Sequence, residues 1–290
     1  MAKKREIPFA KYHGLGNDFI VVRGNDLSGS LERLARAITD RRIGIGADGV
    51  LVLSKPRHSE NQARLRIFNA DGSEAEMSGN GIRCVGAFLA GEDCAKGTLR
   101  IETAAGVRQL ELVSSKQAAR SGEWNFRVAM GRPILDPEKI PVRAGKRNGP
   151  LVGFPLRVGK HRLAATITSM GNPHCSIFVS GFSSLPWQMI GAEVERSSIF
   201  PNRTNVEFVK VISKSAIEVR YWERGVGQTM SSGTGSCGAA VASILNGFAG
   251  RNVSIQTLAG RLRVSWPEGG EVFLTGPAKI IARGVYHAGV

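Results

Sequence analysis

Met77-Ser78-Gly79-Asn80-Gly81-Ile82-Arg83-Cys84 and, later, Ser231-Ser232-Gly233-Thr234-Gly235-Ser236-Cys237 are the two stretches that decide how this chain is read. Each sets a hydroxyl residue before a pair of closely spaced glycines. Each then enters an apolar segment that reads as a buried helix, Ile82 to Leu89 in the first copy and Ala239 to Phe248 in the second. A glycine-rich turn that opens a helix leaves backbone N–H groups without intrahelical partners, all aimed the same way. Together with the positive end of the helix dipole they form an anion site. Two such sites facing each other can grip one carboxylate and hold a reactive side chain on either side of the adjacent carbon.

Working outward, the rest of the chain supplies short strands. An apolar strand leads to His13-Gly14-Leu15-Gly16-Asn17-Asp18-Phe19, and Ile20-Val21-Val22 follows. Residues 30–39 have helical spacing behind Ser30, a good cap. Arg41 to Gly49 is a loop before the buried strand Val50 to Leu53. Its glycines come after a helix and before a strand, the reverse of a dinucleotide fingerprint, so that reading is rejected. Residues 57–63 are polar and loop-like. Arg64 to Phe68 alternates and ends in Asn69-Ala70-Asp71-Gly72-Ser73, where Asp-Gly marks a tight turn. Residues 98–113 and 124–130 are further strands around a soft loop, 114–122. Gly131 to Pro155 is rich in proline, glycine and basic residues. Strands at 156–158 and 162–169 lead to Gly171-Asn172-Pro173-His174-Cys175, with partial helix over 185–196 and strands at 206–211 and 217–222. Short strands at 253–257, 261–266, 271–275 and 279–285 close the chain.

Many short strands with one long apolar helix per half is an α+β pattern, not alternating βαβ. The halves repeat in register. Asn17 precedes Asn172 by 155 positions, Asn69 precedes Glu223 by 154, and Ser78 precedes Ser232 by 154. Three loop motifs at nearly one offset indicate two copies of one fold. The expected domains are 1–129, completed by a C-terminal strand at about 278–290, and 130–277, with a pseudo-symmetric site in the cleft between them.

Length and composition set the remaining bounds. A chain of 290 residues accommodates two domains of usual size. The formal net charge of +15 raises nucleic acid as a partner. However, the basic residues are scattered, with runs only at Lys3-Lys4-Arg5 and Arg41-Arg42, and no stacking aromatics are interleaved. Steering of an anionic small molecule is the better use of that charge. Cys84, Cys94, Cys175 and Cys237 show no CxxC pattern and no metal-ligand spacing with the histidines, so reduced and mostly buried thiols are expected. There is no signal-peptide pattern at MAKKREIPF and no apolar run that spans a bilayer. The expectation is a cytoplasmic protein with a small-molecule substrate, no nucleic-acid or membrane partner, no metal, no cofactor, and room for a homodimer.

Matched helix starts suit a reaction that is itself symmetric, such as inversion of a stereocentre. One face loses a proton to a base and the other gains one from an acid. Backbone N–H groups around the carboxylate stabilise the carbanion.

The segments His13 to Phe19, Asn69 to Ser73, Ser78 to Cys84, Gly171-Asn172-Pro173-His174, Asn202 to Asn205, Glu223-Arg224-Gly225 and Ser232 to Gly235 together resemble the diaminopimelate epimerase family in order and spacing. The resemblance implies two domains, each a β-barrel-like sheet wrapped around a central helix. It also implies cofactor-independent interconversion of LL- and meso-diaminopimelate by two-base proton transfer, on the route to lysine and peptidoglycan. By resemblance, Asn17, Asn69, Asn172, Asn205, Glu223 and Arg224 hold the distal end of the substrate. Arg224 suits a carboxylate and Glu223 an ammonium. Gly79, Asn80, Gly233 and Thr234 bind the carboxylate at the reacting end, and His174 and Glu223 adjoin the acid/base pair.

One departure is evident. The family's two catalytic cysteines fall at positions 78 and 232, and this chain has Ser78 and Ser232 there. A thiol near pKa 8.5 becomes a thiolate readily at a helix start, whereas a serine hydroxyl needs a neighbouring base. Cys84 and Cys237 stand too far along the helix to substitute. Three readings stay open: an engineered Cys-to-Ser variant that traps substrate without turning it over; a natural lineage whose serines are activated by His174 or Glu223 and do slower or different chemistry, as in a racemase or dehydratase of the wider proline racemase superfamily; and a binding protein that keeps the site and has lost catalysis.

Overall fold

The computed structural model describes residues 5–27, 29–92, 97–113, 120–145 and 147–288. Lys3 and Lys4, Cys94 and residues 114–119 of the soft loop lie outside them. The chain divides into two compact units, Met1–Val128 with Gly276–Val290, and Ala129–Thr275.

In the first unit, Phe19 to Val22 and Val50 to Leu53 are apolar without alternation. Such runs fit a parallel pair covered on both faces. Strands β2 (Asn17–Arg23) and β3 (Gly49–Ser54) do pair in parallel, with Ile20 opposite Val50. One cover is helix α1 (Leu31–Thr39). The Ser30 hydroxyl accepts from the Arg33 N–H at its start, and Ala35 and Ile38 pack with Ile20, Val22, Val50, Val52 and Phe68. The other cover is helix α2 (Gly79–Gly91), buried continuously from Gly79 to Leu89. The remaining strands are β1 (Arg5–Gly14), β4 (Ala63–Asn69), the short β5 (Glu74–Ala75), β6 (Thr98–Thr103), β7 (Gly106–Leu112) and β8 (Glu123–Gly131), with the last strand of the chain, β17 (Val272–Ala288). Hydrogen-bonded neighbours run β1, β2, β3, β4, β6, β7, β8, β17 and back to β1, a closed eight-stranded barrel.

The second unit repeats this plan. Strands β9 (Leu151–Val158), β10 (His161–Ser169) and β11 (Pro173–Phe178) lead to helix α3 (Trp187–Glu195). They continue as β12 (Asn205–Ser213), β13 (Ala216–Glu223), the short β14 (Gly227–Thr229), helix α4 (Gly233–Leu245), β15 (Asn252–Thr257) and β16 (Gly260–Ser265). Again the strands flanking the crossover helix are parallel, β11 with β12, and so are those flanking the central helix, β13 with β15. Ile190 and Val194 of α3 join Ile177, Val206 and Phe208 in one core. Helix α4 is built from Gly, Ala, Ser, Cys and Val where it is most enclosed. Small side chains let the surrounding strands approach its backbone.

Three expectations are corrected. Strand β9 starts at Leu151 and runs through Pro155, which was read as loop. Among the described residues it pairs only with β10, and a strand with a free side tolerates proline. The two last strands are one, because β17 pairs with β16 over Phe273–Thr275 and with β1 from Lys279 onward. The Gly276-Pro277 handover only looks like a break in sequence. The second central helix ends at Leu245: Asn246 caps it and Gly247 takes φ +68. Phe248 then stacks edge-on with Phe178, ring centroids 4.8 Å apart.

The fit of α2 in its barrel is tight at Gly86, where a Cβ would lie 3.0 Å from the Phe126 ring and 3.1 Å from Leu110. Gly86→Ala gains up to about 1 kcal/mol of helix propensity against about 1–3 kcal/mol of overpacking, so a net loss is expected in urea unfolding. In a Phe126→Ala background only the Leu110 contact is left, and the same substitution costs less than in the parent.

Candidate active site

Both central helices begin in the same way. Ser78 caps α2 with extended backbone, and its Oγ accepts from the Gly81 N–H at 3.0 Å. Ser232 caps α4, and its Oγ accepts from the Gly235 N–H at 3.2 Å. A serine is a favoured N-cap because it satisfies one of the orphan donors. The glycines three residues on are required by closeness: a Cβ at Gly81 would lie 3.1 Å from the Ser78 Cβ, and one at Gly235 would lie 3.0 Å from Ser232 Oγ. The first-turn residues Gly79 and Asn80, and Gly233 and Thr234, therefore keep N–H groups at a positive helix end. Cys84 and Cys237 face inward and are fully buried, and burial pushes the Cys84 thiol up to about 12.

In the first unit the hairpin between β1 and β2 turns through Leu15 and Gly16, both at positive φ, and presents Asn17. The Asn80 amide donates to Asn17 Oδ1 at 3.2 Å, and Asn17 Nδ2 donates to Asp48 Oδ2 at 2.7 Å. Behind Asn80 stands Arg83, a fully buried guanidinium bonded to Asn80 Oδ1 at 2.6 Å and to the Gly79 carbonyl at 2.8 Å. Gly14 leaves room for it, since a Cβ there would lie 3.2 Å from Arg83 Nη2. Asn69 ends β4 and is exposed, with its amide bonded within its own turn to Ser73 Oγ at 2.9 Å. Helix α1 reaches that turn through Arg36, which donates to the Asp71 carbonyl at 2.7 Å.

In the second unit, Ser232 Oγ donates to Glu223 Oε2 at 2.8 Å, and Thr229 donates to Glu223 Oε1 at 2.6 Å. Burial raises the Glu223 carboxyl, and the two hydroxyl donors only partly offset it. His174 does not fall on Ser232. It is fully buried, with Nδ1 2.7 Å from Glu207 Oε1 and Nε2 3.0 Å from Asn172 Oδ1. The Asn172 amide in turn reaches Thr234 Oγ1 at 3.5 Å, the counterpart of the Asn17–Asn80 contact. Gly238 makes room for the imidazole, since a Cβ would lie 2.9 Å from its ring. Asn205 donates to the Pro173 carbonyl and accepts from the Arg224 N–H, each at 3.0 Å. The Arg224 guanidinium is exposed and bonds the Asn202 carbonyl at 3.1 Å.

Sequence reasoning missed the supports. Asp48, Glu195 and Glu207 carry no motif of their own, and Arg83 stands in the first motif without a role assigned to it. Glu195 of α3 accepts from Trp222 Nε1 and from the Gly225 N–H, each at 2.9 Å, so one carboxylate brackets Glu223 and Arg224. Glu207 also accepts from Ser176 Oγ at 3.2 Å. A lone acid inside the apolar run Val206 to Val209 was the available signal. Among the described residues no three His, Cys, Asp or Glu are grouped to hold a metal ion, and no helix is long and apolar enough to cross a membrane.

The diaminopimelate epimerase family model matches residues 9–135 and 166–281. The diaminopimelate epimerase of Pelotomaculum thermopropionicum is 44% identical over 286 residues, covering 96% of this chain and 98% of the relative. That of Halothermothrix orenii is 42% identical over 282 residues, covering 96% and 97%. Among solved structures, a PhzF-family phenazine biosynthesis protein of Bacillus anthracis aligns with a TM-score of 0.69 at 15% identity, over 97% of this chain and 98% of that one. A hydroxyproline epimerase of Agrobacterium vitis aligns with a TM-score of 0.68 at 14% identity, over 99% and 94%. These two share the fold.

The raised Glu223 carboxyl makes a prediction about stability. The folded state holds this proton more tightly than the unfolded state, so the contribution is present at acid pH and is lost as pH rises through the folded pKa. Glu223→Gln should flatten that dependence. In guanidinium melts the variant gains on the parent protein as pH is raised from 4 to 8, and a parallel pair of curves would contradict the assignment.

Proposed function

The chain belongs to the diaminopimelate epimerase family, and from that membership we propose that it binds diaminopimelate and inverts its α-carbon without a cofactor, with Ser78 and Ser232 as the two proton-transfer groups. The observation that carries the reading is the matched cap: one hydroxyl at the head of each central helix, held by the third N–H of that helix. The proposal has both hydroxyls serve opposite faces of one α-carbon, with first-turn N–H groups on its carboxylate. The carbanion is then stabilised by donors already in place. Asn17, Asn69, Asn172, Asn205, Glu223 and Arg224 recognise the distal amino-acid end, where Arg224 suits a carboxylate.

The two hydroxyls are not equivalent. The Ser232 proton is directed at Glu223 Oε2, so a proton taken up by Ser232 has an acceptor waiting. Burial, by raising Glu223, improves that acceptor. Among the described residues Ser78 Oγ accepts from the Gly81 N–H and donates to no group, which leaves its proton for the substrate. We assign Ser232 as the base, relayed to Glu223, and Ser78 as the acid. In the family the corresponding residues are cysteines. A hydroxyl is a much weaker acid than a thiol, and a carboxylate is a modest base toward it. Turnover is correspondingly slow, while binding is intact.

The test is exchange in deuterated water. Diaminopimelate incubated with the protein acquires deuterium at the α-carbon, slowly, and Ser78→Cys with Ser232→Cys raises the rate roughly 10²-fold or more, the range general acid–base groups supply. Failure of both forms to bind diaminopimelate in calorimetry would sink the reading.

A further inference from the structure

Arg83, on the central helix α2, is the largest fully buried side chain among the described residues. A guanidinium enclosed inside a barrel is costly unless something uses it. Its direction of bonding offers a use. Arg83 can only donate. Its bond at 2.6 Å therefore fixes the oxygen of the Asn80 amide toward it. Asn80 must then point its NH₂ at Asn17, which accepts through Oδ1 at 3.2 Å. Asn17 is left to point its own NH₂ at Asp48 Oδ2 at 2.7 Å. Asp48 is a carboxylate and can only accept. It is held in place by the Asp18 N–H at 3.0 Å and by Arg41 at 2.8 Å. Asp18 is itself paired with Arg41 and Lys11.

A row of two amides is ambiguous by itself, since each can turn over and exchange its oxygen and nitrogen. Here one end is closed by a group with donors only and the other by a group with acceptors only. The row has one direction. It leaves Asn17 and Asn80 each with one N–H and one carbonyl lone pair at known places.

From this we infer that Arg83 and Asp48 are specificity-determining positioning residues: they fix the amide direction of Asn17 and Asn80, and through it the preference for an L centre at the distal end of the substrate. The inference rests on the reading of Asn17 as a substrate contact. LL- and meso-diaminopimelate both contain an L centre, and the DD isomer contains none. An Asn17 amide that can turn over offers a donor where an acceptor stood, and so accepts either arrangement of the distal ammonium and carboxylate.

The experiment titrates the LL and DD isomers separately into the serine-bearing protein by calorimetry. Asp48→Asn puts a group that donates and accepts at one end of the row, and Arg83→Gln does so at the other. Each is expected to reduce the LL-over-DD affinity ratio about tenfold or more, the worth of one well-placed hydrogen bond. Arg83→Lys, again a donor only, keeps the ratio. Equal ratios in parent, Asp48→Asn and folded Arg83→Gln overturn the inference. Asp48 is the safer position should Arg83→Gln unfold, because its side chain is 40% exposed. A ligand-free readout separates this from the functional reading. In the parent, the side-chain NH₂ signals of Asn17 and Asn80 are protected from hydrogen exchange, and Asp48→Asn removes that protection. If neither isomer binds the parent, the functional reading falls, and the amide signals still decide whether the row has one direction. Unprotected amides in the parent overturn it.

Discussion

A buried helix has its unpaired N–H groups at one end only, and the arrangement of polar residues in both units follows from that constraint. In each unit the central helix is buried along its length, and its first turn is where polarity collects. The serine cap then does two things. It terminates the helix by accepting one N–H, and it holds a hydroxyl beside the remaining ones. The groups that cap the fold are thus the same backbone groups that the proposed function gives to the substrate carboxylate. The glycines of the first turn serve both, since side chains there would crowd the cap.

The two units apply the same plan with different chemistry behind it. In each, an asparagine from a hairpin turn reaches the residue two places beyond the cap, Asn17 to Asn80 and Asn172 to Thr234. In each, the crossover helix grips a turn, the one after Asn69 through Arg36 and the one after Arg224 through Glu195. Yet the first unit is backed by a buried guanidinium and the second by a buried imidazole and carboxylate, His174 with Glu207. Repetition made the scaffold, and the buried polar residues made its halves unequal.

That division also explains what the sequence disclosed. The caps, the Gly-x-Gly starts, the crossover strands and the constant offset are local or periodic, so they could be read directly. Helix α1 was found from Ser30 and its apolar spacing alone. Strand β17 was split in two because a Gly-Pro pair looks like an ending, and only its change of partners shows one continuous strand. Arg83 was read as part of a motif without a role, since nothing local says that its side chain turns back toward Asn80. Glu207 lies 33 positions from His174, and Glu195 lies 27 and 30 positions from Trp222 and Gly225, and such distances carry no periodic signal.

The presence of oxygen rather than sulfur at both caps has a chemical consequence. Cysteines activated at a helix start are open to peroxide, forming sulfenic acid and then higher oxides. Hydroxyls do not enter that series. The three described cysteines, Cys84, Cys175 and Cys237, are fully enclosed, so among the described residues neither helix cap nor any exposed thiol offers peroxide a point of attack.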